Sequence, residues 1–256
     1  MLSNSIDYQY NAFVKEVLNN GAWRETRNAK TFSSFGHTLK FYIGDRFPLL
    51  TSRKIFYRGV FGEFKSFMQD VNTVAGFEDN SCPFWSGFGE DDGSLILDYP
   101  PREQLEYVIN LLKTDPNSRR MVISLWNPEH VGKLSLECCH YGYQFYVRGD
   151  ELDMIWTQRS LDIAVGLPSD IILASLYVIM LAKETGLKPG KVTMNFGDAH
   201  IYEDHYADLI AQVNLPIVVG SPKYTDKEVG IREFDLDTIE IQEYNPGPSI
   251  KYKLEH

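Results

Sequence analysis

The middle of the chain, residues 143–185, reads YQFYVRGDELDMIWTQRSLDIAVGLPSDIILASLYVIMLAKET. Two runs rich in β-branched and aromatic residues come first, Tyr143–Val147 and Asp153–Thr157, and glycine and aspartate separate them. Short runs of this kind, bounded by turn residues, are typical of β-strands. The sequence therefore predicts two neighbouring strands, followed by the long apolar segment that ends the quoted stretch.

This apolar segment, Ile171–Ala182, is the longest in the chain. It falls short of the roughly 20 residues that a membrane-spanning helix needs, and it contains Ser175 and Tyr177. We therefore interpret Ile171–Thr185 as a buried helix at the centre of a globular fold.

Outward from this centre, apolar residues repeat at helical spacing in three further segments: Phe13–Leu18, Val60–Met68 and Leu105–Leu112. Further β-rich runs are Thr38–Ile43, Met121–Trp126, Val192–Phe196 and Ile217–Val219. The order of these elements is mixed and lacks a strict βαβ alternation. It favours an α+β fold in which helices cover one face of a mixed sheet. A second copy of the chain is the simplest cover for the other face.

No linker rich in proline, glycine or serine divides the 256 residues, and the stretch with the strongest loop character is Val71–Pro101. We expect a single catalytic domain over residues 1–253. The last three residues, Leu254-Glu255-His256, resemble the remnant of an expression tag, so we exclude them from functional reasoning.

The net charge of -10 provides no broad positive surface for a phosphate polymer, which argues against nucleic acid as the main partner. There are three cysteines, an odd number, and no signal peptide pattern precedes them. These features predict a reduced, cytoplasmic location, which would be the host cytoplasm if the protein is viral. We expect no metal site and no membrane association.

The reactive side chains cluster in four short motifs. A single cysteine is more often a small buried hydrophobic residue than a nucleophile, so no motif is specific by itself. Their order and spacing carry the information. The motifs are Glu137-Cys138-Cys139-His140, Gln158-Arg159-Ser160-Leu161-Asp162, Gly166-Leu167-Pro168-Ser169-Asp170 and Gly197-Asp198-Ala199-His200-Ile201-Tyr202.

This ordered set resembles the thymidylate synthase family, and the resemblance extends from about Arg27 to Lys251. Cys139-His140 followed by Gln144-Phe145 matches the family's nucleophile motif, and Gln158–Asp162 matches its phosphate motif. The amino-terminal half agrees as well, in Phe35-Gly36-His37, Phe47-Pro48-Leu49, Glu63, residues 115–120 and Trp126-Asn127-Pro128. The resemblance implies the thymidylate synthase-like fold, a homodimer joined through the uncovered sheet face, and one-carbon transfer to C5 of a pyrimidine nucleotide. It also implies 5,10-methylenetetrahydrofolate as co-substrate.

The chemistry requires a thiolate, because C5 of a pyrimidine becomes nucleophilic only after addition at C6. The resemblance assigns this role to Cys139, and a neighbouring arginine cation should favour the ionised thiol. Cys138 stands where the family usually has proline. We choose Cys139 because it keeps the spacing to His140 and Arg159.

The resemblance also implies roles for the other motif residues. Guanidinium groups suit a phosphate dianion because they offer parallel charged donors. The nucleotide-binding set is Arg27, Arg119, Arg120, Gln158, Arg159, Ser160, Asp170, His200 and Tyr202, with Arg119 and Arg120 contributed by the partner subunit and with His200 and Tyr202 at the sugar 3′-hydroxyl. The folate set is Trp85, Asp162 and Gly166, while Glu63 organises proton transfer and Tyr99 lies over the cysteine.

One departure from the family points to the substrate. Asp170 stands where thymidylate synthases carry the asparagine of Gly-x-Pro-x-Asn. An asparagine amide matches O4 and N3–H of uracil, whereas cytosine presents an amino donor and an unprotonated N3. A carboxyl group can accept from that amino group and share a proton with N3. The departure resembles phage deoxycytidylate hydroxymethylases, which are relatives within the family.

The carboxyl terminus departs too, since only Tyr252-Lys253 and the three terminal residues follow Pro248-Ser249-Ile250-Lys251. A less complete lid admits water, and water capture of the C5 methylene gives hydroxymethyl, whereas hydride from the folate gives methyl. We therefore expect a (deoxy)cytidylate 5-hydroxymethyltransferase.

Other functions compete with this expectation. On the same fold they are a cytidylate 5-methyltransferase, which would form dihydrofolate, and a thymidylate synthase acting on uridylate. A cysteine hydrolase built on Cys139-His140 is disfavoured, because adjacent strand residues point to opposite faces. A non-catalytic binding protein is disfavoured because every polar residue of the motifs is retained apart from the change to Asp170.

Overall fold

A computed structural model describes residues 5–27, 29–99, 102–217 and 221–252. Its helices are α1 (Ile6–Asn20), α2 (Tyr57–Met68), α3 (Val74–Asp79), α4 (Arg102–Thr114), α5 (Gly166–Thr185) and α6 (Glu203–Gln212). Its strands are β1 (Ala22–Glu25), β2 (Lys30–Tyr42), β3 (Val122–Ser124), β4 (His140–Arg148), β5 (Glu151–Asp162), β6 (Lys188–Tyr202), β7 (Lys223–Asp226) and β8 (Ile239–Gln242). A short 3-10 turn covers Ile231–Glu233.

Six strands form one mixed sheet in the order β1-β2-β6-β5-β4-β3, and β7 and β8 form a separate antiparallel pair. Among the strands of the described residues, only β5 and β6 pair in parallel, with Trp156 opposite Met194. The connection between these two strands is α5, as a parallel crossover requires. The predicted α+β class with a mixed sheet is therefore confirmed.

Helix α5 is the core of the fold. Its length and composition would suffice to cross a membrane, but 83% of its apolar window is buried inside the fold. It packs on β5 and β6 and against α2 and α4. The helix ends at Gly186, whose φ of 72° lies in the left-handed region that favours glycine. The prediction of a buried core helix is confirmed, and the helix begins five residues earlier than the apolar pattern indicated.

The two faces of the large sheet differ in burial. Along β5 the side chains of Met154 and Trp156 are buried beneath the helices, whereas Ile155 between them is exposed. On the same side as Ile155, Tyr42 of β2 and Tyr146 of β4 are also exposed. Helices thus cover one face, and the other presents large apolar side chains to solvent.

Five of the predicted β-runs fall within or overlap strands of the sheet, and all four predicted helical segments overlap helices. The sequence missed β1, whose four residues are all exposed and show no alternation. It also missed α3, which interrupts the predicted loop and is capped by the Thr73 hydroxyl accepting from Gly76 N–H. The predicted run Ile217–Val219 and the presumed tag, residues 254–256, fall mostly or wholly outside the described residues.

Candidate active site

Strands β4 and β5 bring the principal reactive side chains together. His140 at the start of β4 pairs with Gln158 of β5. Next to this pair, Arg159 N–H donates to the carbonyl oxygen of Cys139 at 2.8 Å. Cys139 and Arg159 therefore lie side by side because the sheet fixes their backbones.

The Arg159 guanidinium is held against this loop by carbonyl groups. Its Nε donates to Cys138 O at 2.9 Å and its Nη2 to Glu137 O at 2.8 Å. The same Nη2 lies 3.9 Å from Cys139 Sγ. These bonds orient a cation towards the sulfur before any nucleotide binds.

The Cys139 thiol is partly exposed, and its pKa is raised above the ordinary value because burial outweighs the lowering effect of the Arg159 charge. We expected the arginine cation to favour the ionised thiol, and the Arg159 charge does lower the thiol pKa. Desolvation acts in the opposite direction and has the larger effect. The Asp170 carboxyl raises the same pKa further.

The neighbouring Cys138 is buried, with 1% of its surface exposed. Burial raises the pKa of its thiol to about 11, although a hydrogen bond from Tyr99 opposes the shift. Tyr99 itself stacks on Phe67 with ring centroids 4.8 Å apart. Tyr99 therefore lies near the cysteine pair, and the thiol to which it hydrogen bonds is that of Cys138.

His140 points away from Cys139 into an aromatic layer. Its Nδ1 lies 2.5 Å from the Tyr143 hydroxyl, and its ring centroid is 4.4 Å from that of Trp156. Burial lowers the pKa of His140 to about 3. The imidazole is neutral and hydrogen bonds to the Tyr143 hydroxyl, so the pair Cys139-His140 is not arranged as a nucleophile and base.

Asp170, in the first turn and a half of α5, is a buried carboxyl group with 7% exposure. Its Oδ2 accepts from Gln158 Nε2 at 2.9 Å. Burial raises the pKa of Asp170 to about 8, and the carboxyl groups of Glu63 and Asp162 contribute to the rise. The group is therefore largely protonated at neutral pH and can donate as well as accept.

Glu63 on α2 is the second carboxyl group of the site. Trp85 Nε1 donates to its Oε1 at 2.8 Å. Burial raises the pKa of Glu63 to about 7, which suits a group that exchanges protons near neutrality. Trp85 was expected to line the folate pocket; it is 5% exposed, and its polar contact is with Glu63.

Asp162 and Gly166 frame the turn that leads from β5 into α5. Asp162 Oδ1 accepts from Ala164 N–H at 2.8 Å and from Val165 N–H at 3.2 Å. Burial raises the pKa of Asp162, and His200 opposes the rise. The carboxyl group thus lies between the helix start and the β6 histidine.

His200 and Tyr202 follow one another on the same side of β6, with ring centroids 5.2 Å apart. Asp198 Oδ1 lies 3.1 Å from His200 Nδ1, and Asp198 Oδ2 accepts from Arg24 at 2.9 Å. Sequence reasoning missed Arg24, because nothing in the sequence indicated that β1 would pair at this edge.

Gly197, at the start of the same motif, is required by a close approach of β6 to β5. A Cβ atom at Gly197 would lie 2.6 Å from Arg159 O. No larger residue fits there without separating the two strands. The glycine therefore keeps β6 close to the backbone that positions Arg159.

The remaining predicted arginines lie on exposed segments outside the strands. Arg27 is exposed on the bend between β1 and β2, and Arg119 and Arg120 are exposed just before β3. Ser160 is half-buried on β5, opposite Asp198.

An open groove borders the guanidinium of Arg159 and is lined also by Trp126 and Tyr141. The Arg159 cation lies 5.7 Å from the Trp126 ring centroid. Trp126 belongs to a motif quoted from the sequence, but its place beside Arg159 was not predicted. Among the described residues, no group of three or more histidine, cysteine or acidic side chains is arranged to hold a metal ion.

Comparison with known families gives a match of nearly full length. The family model described as "Thymidylate synthase" matches residues 8–256.

Proposed function

Because the chain belongs to the thymidylate synthase family, we propose that it transfers a one-carbon unit to C5 of (deoxy)cytidylate and releases the 5-hydroxymethyl nucleotide. Members of the family bind a nucleotide monophosphate and use methylenetetrahydrofolate as co-substrate. The choice of cytosine and of the hydroxymethyl product is our proposal.

The observation that carries the choice of base is the environment of Asp170. A buried carboxyl group whose pKa is raised to about 8 retains a proton at neutral pH. It can share that proton with the unprotonated N3 of cytosine and accept from the 4-amino group. Uracil presents N3–H and O4 instead, so a donor would face a donor at N3 and an unmatched group would cost roughly 1–3 kcal/mol.

The same proton assists the chemistry. As it moves towards N3, the ring becomes a better acceptor for the Cys139 thiolate at C6. Arg159, 3.9 Å from the sulfur, stabilises that thiolate. Because burial raises the thiol pKa, we infer that ionisation accompanies nucleotide binding. Glu63, with a pKa raised to about 7, is the group we assign to later proton transfers at C5.

We also propose a homodimer in which Arg119 and Arg120 complete the phosphate site of the partner. Phe145 N–H donates to Met121 O, so Arg120 lies beside the residues that follow Phe145 on β4. Cys139 lies six positions before Phe145, which is roughly 20 Å at about 3.3 Å per residue of strand. An arginine side chain does not bridge that distance to the sulfur, so we assign these two cations to the phosphate site of the partner.

The uncovered sheet face supports the same proposal. Tyr42, Tyr146 and Ile155 are exposed on it, and a face with large exposed side chains of this kind is typical of a surface buried in an oligomer. The family is soluble, and we propose a cytoplasmic location.

The experiment that tests the proposed function is mass spectrometry of the products formed from dCMP and from dUMP with methylenetetrahydrofolate. The proposal predicts 5-hydroxymethyl-dCMP as the main product, without dihydrofolate. Methylated dCMP with equimolar dihydrofolate would show that hydride, not water, captures the methylene. Thymidylate as the main product would contradict the proposal that cytosine is the substrate base.

A further inference from the structure

A chain of hydrogen bonds runs from the core of the sheet to Asp170. Trp156, fully buried on β5, donates from Nε1 to Gln158 Oε1 at 2.9 Å. Gln158 Nε2 then donates both to Ser160 O at 2.9 Å and to Asp170 Oδ2 at 2.9 Å. Every polar atom of the glutamine side chain is engaged, and each partner is held by the sheet or by α5.

The direction of this chain is fixed by chemistry. An indole N–H only donates and a backbone carbonyl only accepts. Gln158 must therefore present its oxygen to Trp156 and its amide hydrogens to Ser160 O and Asp170. The contacts at the oxygen and at the nitrogen of the amide require the same orientation. A reversed amide would place its NH2 group against the Trp156 N–H and its oxygen against Ser160 O.

The indole is itself immobilised. Its ring stacks on Tyr143 at a centroid distance of 4.7 Å with an interplanar angle of 22°, and His140 lies 4.4 Å away on the same aromatic layer. Trp156 has no exposed surface. The donor that orients Gln158 is thus part of the rigid core and is not a side chain that can rotate away.

We propose that Trp156 is a positioning residue for base recognition: its indole N–H fixes the Gln158 amide, which keeps Asp170 Oδ2 as an acceptor and assigns the carboxyl proton to Oδ1. This inference rests on the proposed function, because a carboxyl proton fixed on Oδ1 serves recognition only if Asp170 faces the unprotonated N3 of cytosine. A carboxyl group without a fixed donor would place its proton on either oxygen. Because Oδ2 accepts from Gln158, the neutral acid carries its proton on Oδ1. The Oδ1–H group is then free to donate to the nucleotide.

Two replacements of Trp156 separate the N–H from the shape of the ring. Trp156→Phe removes the donor and part of the volume. Incorporation of 3-benzothienylalanine at position 156 keeps the bicyclic shape and replaces N–H by sulfur. Tyr143→Phe is the matched control, since it alters the same aromatic layer but leaves the Trp156 N–H in place. Urea unfolding of each variant reports loss of stability separately.

The readouts are the pKa of Asp170 in the free protein, followed by carboxyl-carbon NMR, and the pH profile of kcat/KM with dCMP. Because the Gln158 donor lowers the pKa of Asp170, its release should raise that pKa in both Trp156 variants. We expect kcat/KM for dCMP to fall roughly tenfold, the loss of about one hydrogen bond. We expect the alkaline limb of the profile to move to higher pH, and the Tyr143→Phe control to keep the wild-type limb.

A benzothienyl variant with the wild-type Asp170 pKa and the wild-type pH profile would overturn the inference, and so would an equal effect in the Tyr143→Phe control. The NMR readout does not depend on the substrate. A raised Asp170 pKa in a protein that prefers dUMP would refute the proposed function while leaving the positioning role of Trp156 intact.

Discussion

The Nη2 atom of Arg159 lies 3.9 Å from the Sγ atom of Cys139, and two carbonyl groups hold the guanidinium in that place. The cation lowers the pKa of a thiol whose burial raises it. The reactivity of Cys139 therefore depends on a balance between desolvation and one charge.

Arg159→Gln should shift this balance towards the neutral thiol. The variant loses the charge but keeps a polar side chain, so the pKa of Cys139 rises further and less thiolate is present at neutral pH. We expect alkylation of Cys139 by iodoacetamide at pH 7 to slow by roughly tenfold for each unit of pKa increase. Arg27→Gln, at an exposed position on another loop, is the control. An alkylation rate unchanged in Arg159→Gln would show that the guanidinium does not act on the sulfur.

The two adjacent cysteines should respond differently to replacement by serine. Cys139→Ser should abolish turnover while nucleotide binding persists, since the proposed phosphate and sugar contacts lie elsewhere. Cys138→Ser should retain activity with a modest loss of stability, because the Cys138 side chain is buried and hydrogen bonds to Tyr99. Turnover and calorimetric binding of dCMP measure both effects. The reverse pattern would transfer the role of nucleophile to Cys138.

The raised pKa of Asp170 makes stability depend on pH. The carboxyl pKa is about 8 in the fold against an ordinary 3.8, so the folded chain binds this proton more tightly than the unfolded chain. The contribution of this proton to the free energy of unfolding is fully present below about pH 4 and is lost as the pH rises through about 8. In the wild-type protein this loss should lower the free energy of unfolding by on the order of a few kcal/mol. Asp170→Asn should abolish it, because the amide does not titrate.

Urea unfolding between pH 4 and 9 measures this difference. Glu63, with its pKa raised to about 7, should also lower the free energy of unfolding as the pH rises. Glu63→Gln is therefore a comparison variant that removes the Glu63 contribution and keeps that of Asp170. Parallel stability curves for Asp170→Asn and the wild-type protein would contradict the assignment of a protonated Asp170.

The proposed shared site predicts complementation between two inactive variants. Cys139→Ala lacks the nucleophile, and Arg120→Ala lacks part of the phosphate clamp that we assign to the partner. Mixed subunits should form heterodimers with one intact site, and random exchange should restore up to about a quarter of wild-type activity. Each variant alone is the control. A mixture that remains inactive despite proven subunit exchange would refute the contribution of Arg120 across the interface.

Much of the fold follows from local patterns in the sequence. Residues 171–182 are almost entirely apolar, which indicates a helix buried on all sides, and the strand pair around residues 143–157 is bounded by turn residues. Strand β1 could not be predicted, because its four residues are exposed and it exists only through pairing with β2. Helix α6 likewise begins directly where β6 ends, without a turn residue between them.

The composition of the site was more accessible to sequence reasoning than its energetics. The motifs named the residues around Cys139 and Asp170, but no spacing rule connects Trp156 to a carboxyl group on α5 through Gln158. That connection depends on rotamers and on the packing of the helix against the sheet. The raised pKa of Cys139 was also out of reach, because desolvation is a property of the folded surroundings and the sequence indicates only the neighbouring charge.

The central claim is that Asp170 selects cytosine, and Asp170→Asn tests it most directly through the ratio of kcat/KM for dCMP to kcat/KM for dUMP. The amide keeps the shape of the side chain but cannot share a proton with N3, so it mismatches cytosine and matches uracil. With roughly 1–3 kcal/mol for each mismatch and about tenfold for each 1.4 kcal/mol, the ratio should fall by on the order of ten- to a hundredfold or more. A ratio that favours dCMP equally in both proteins would mean that Asp170 does not read the base.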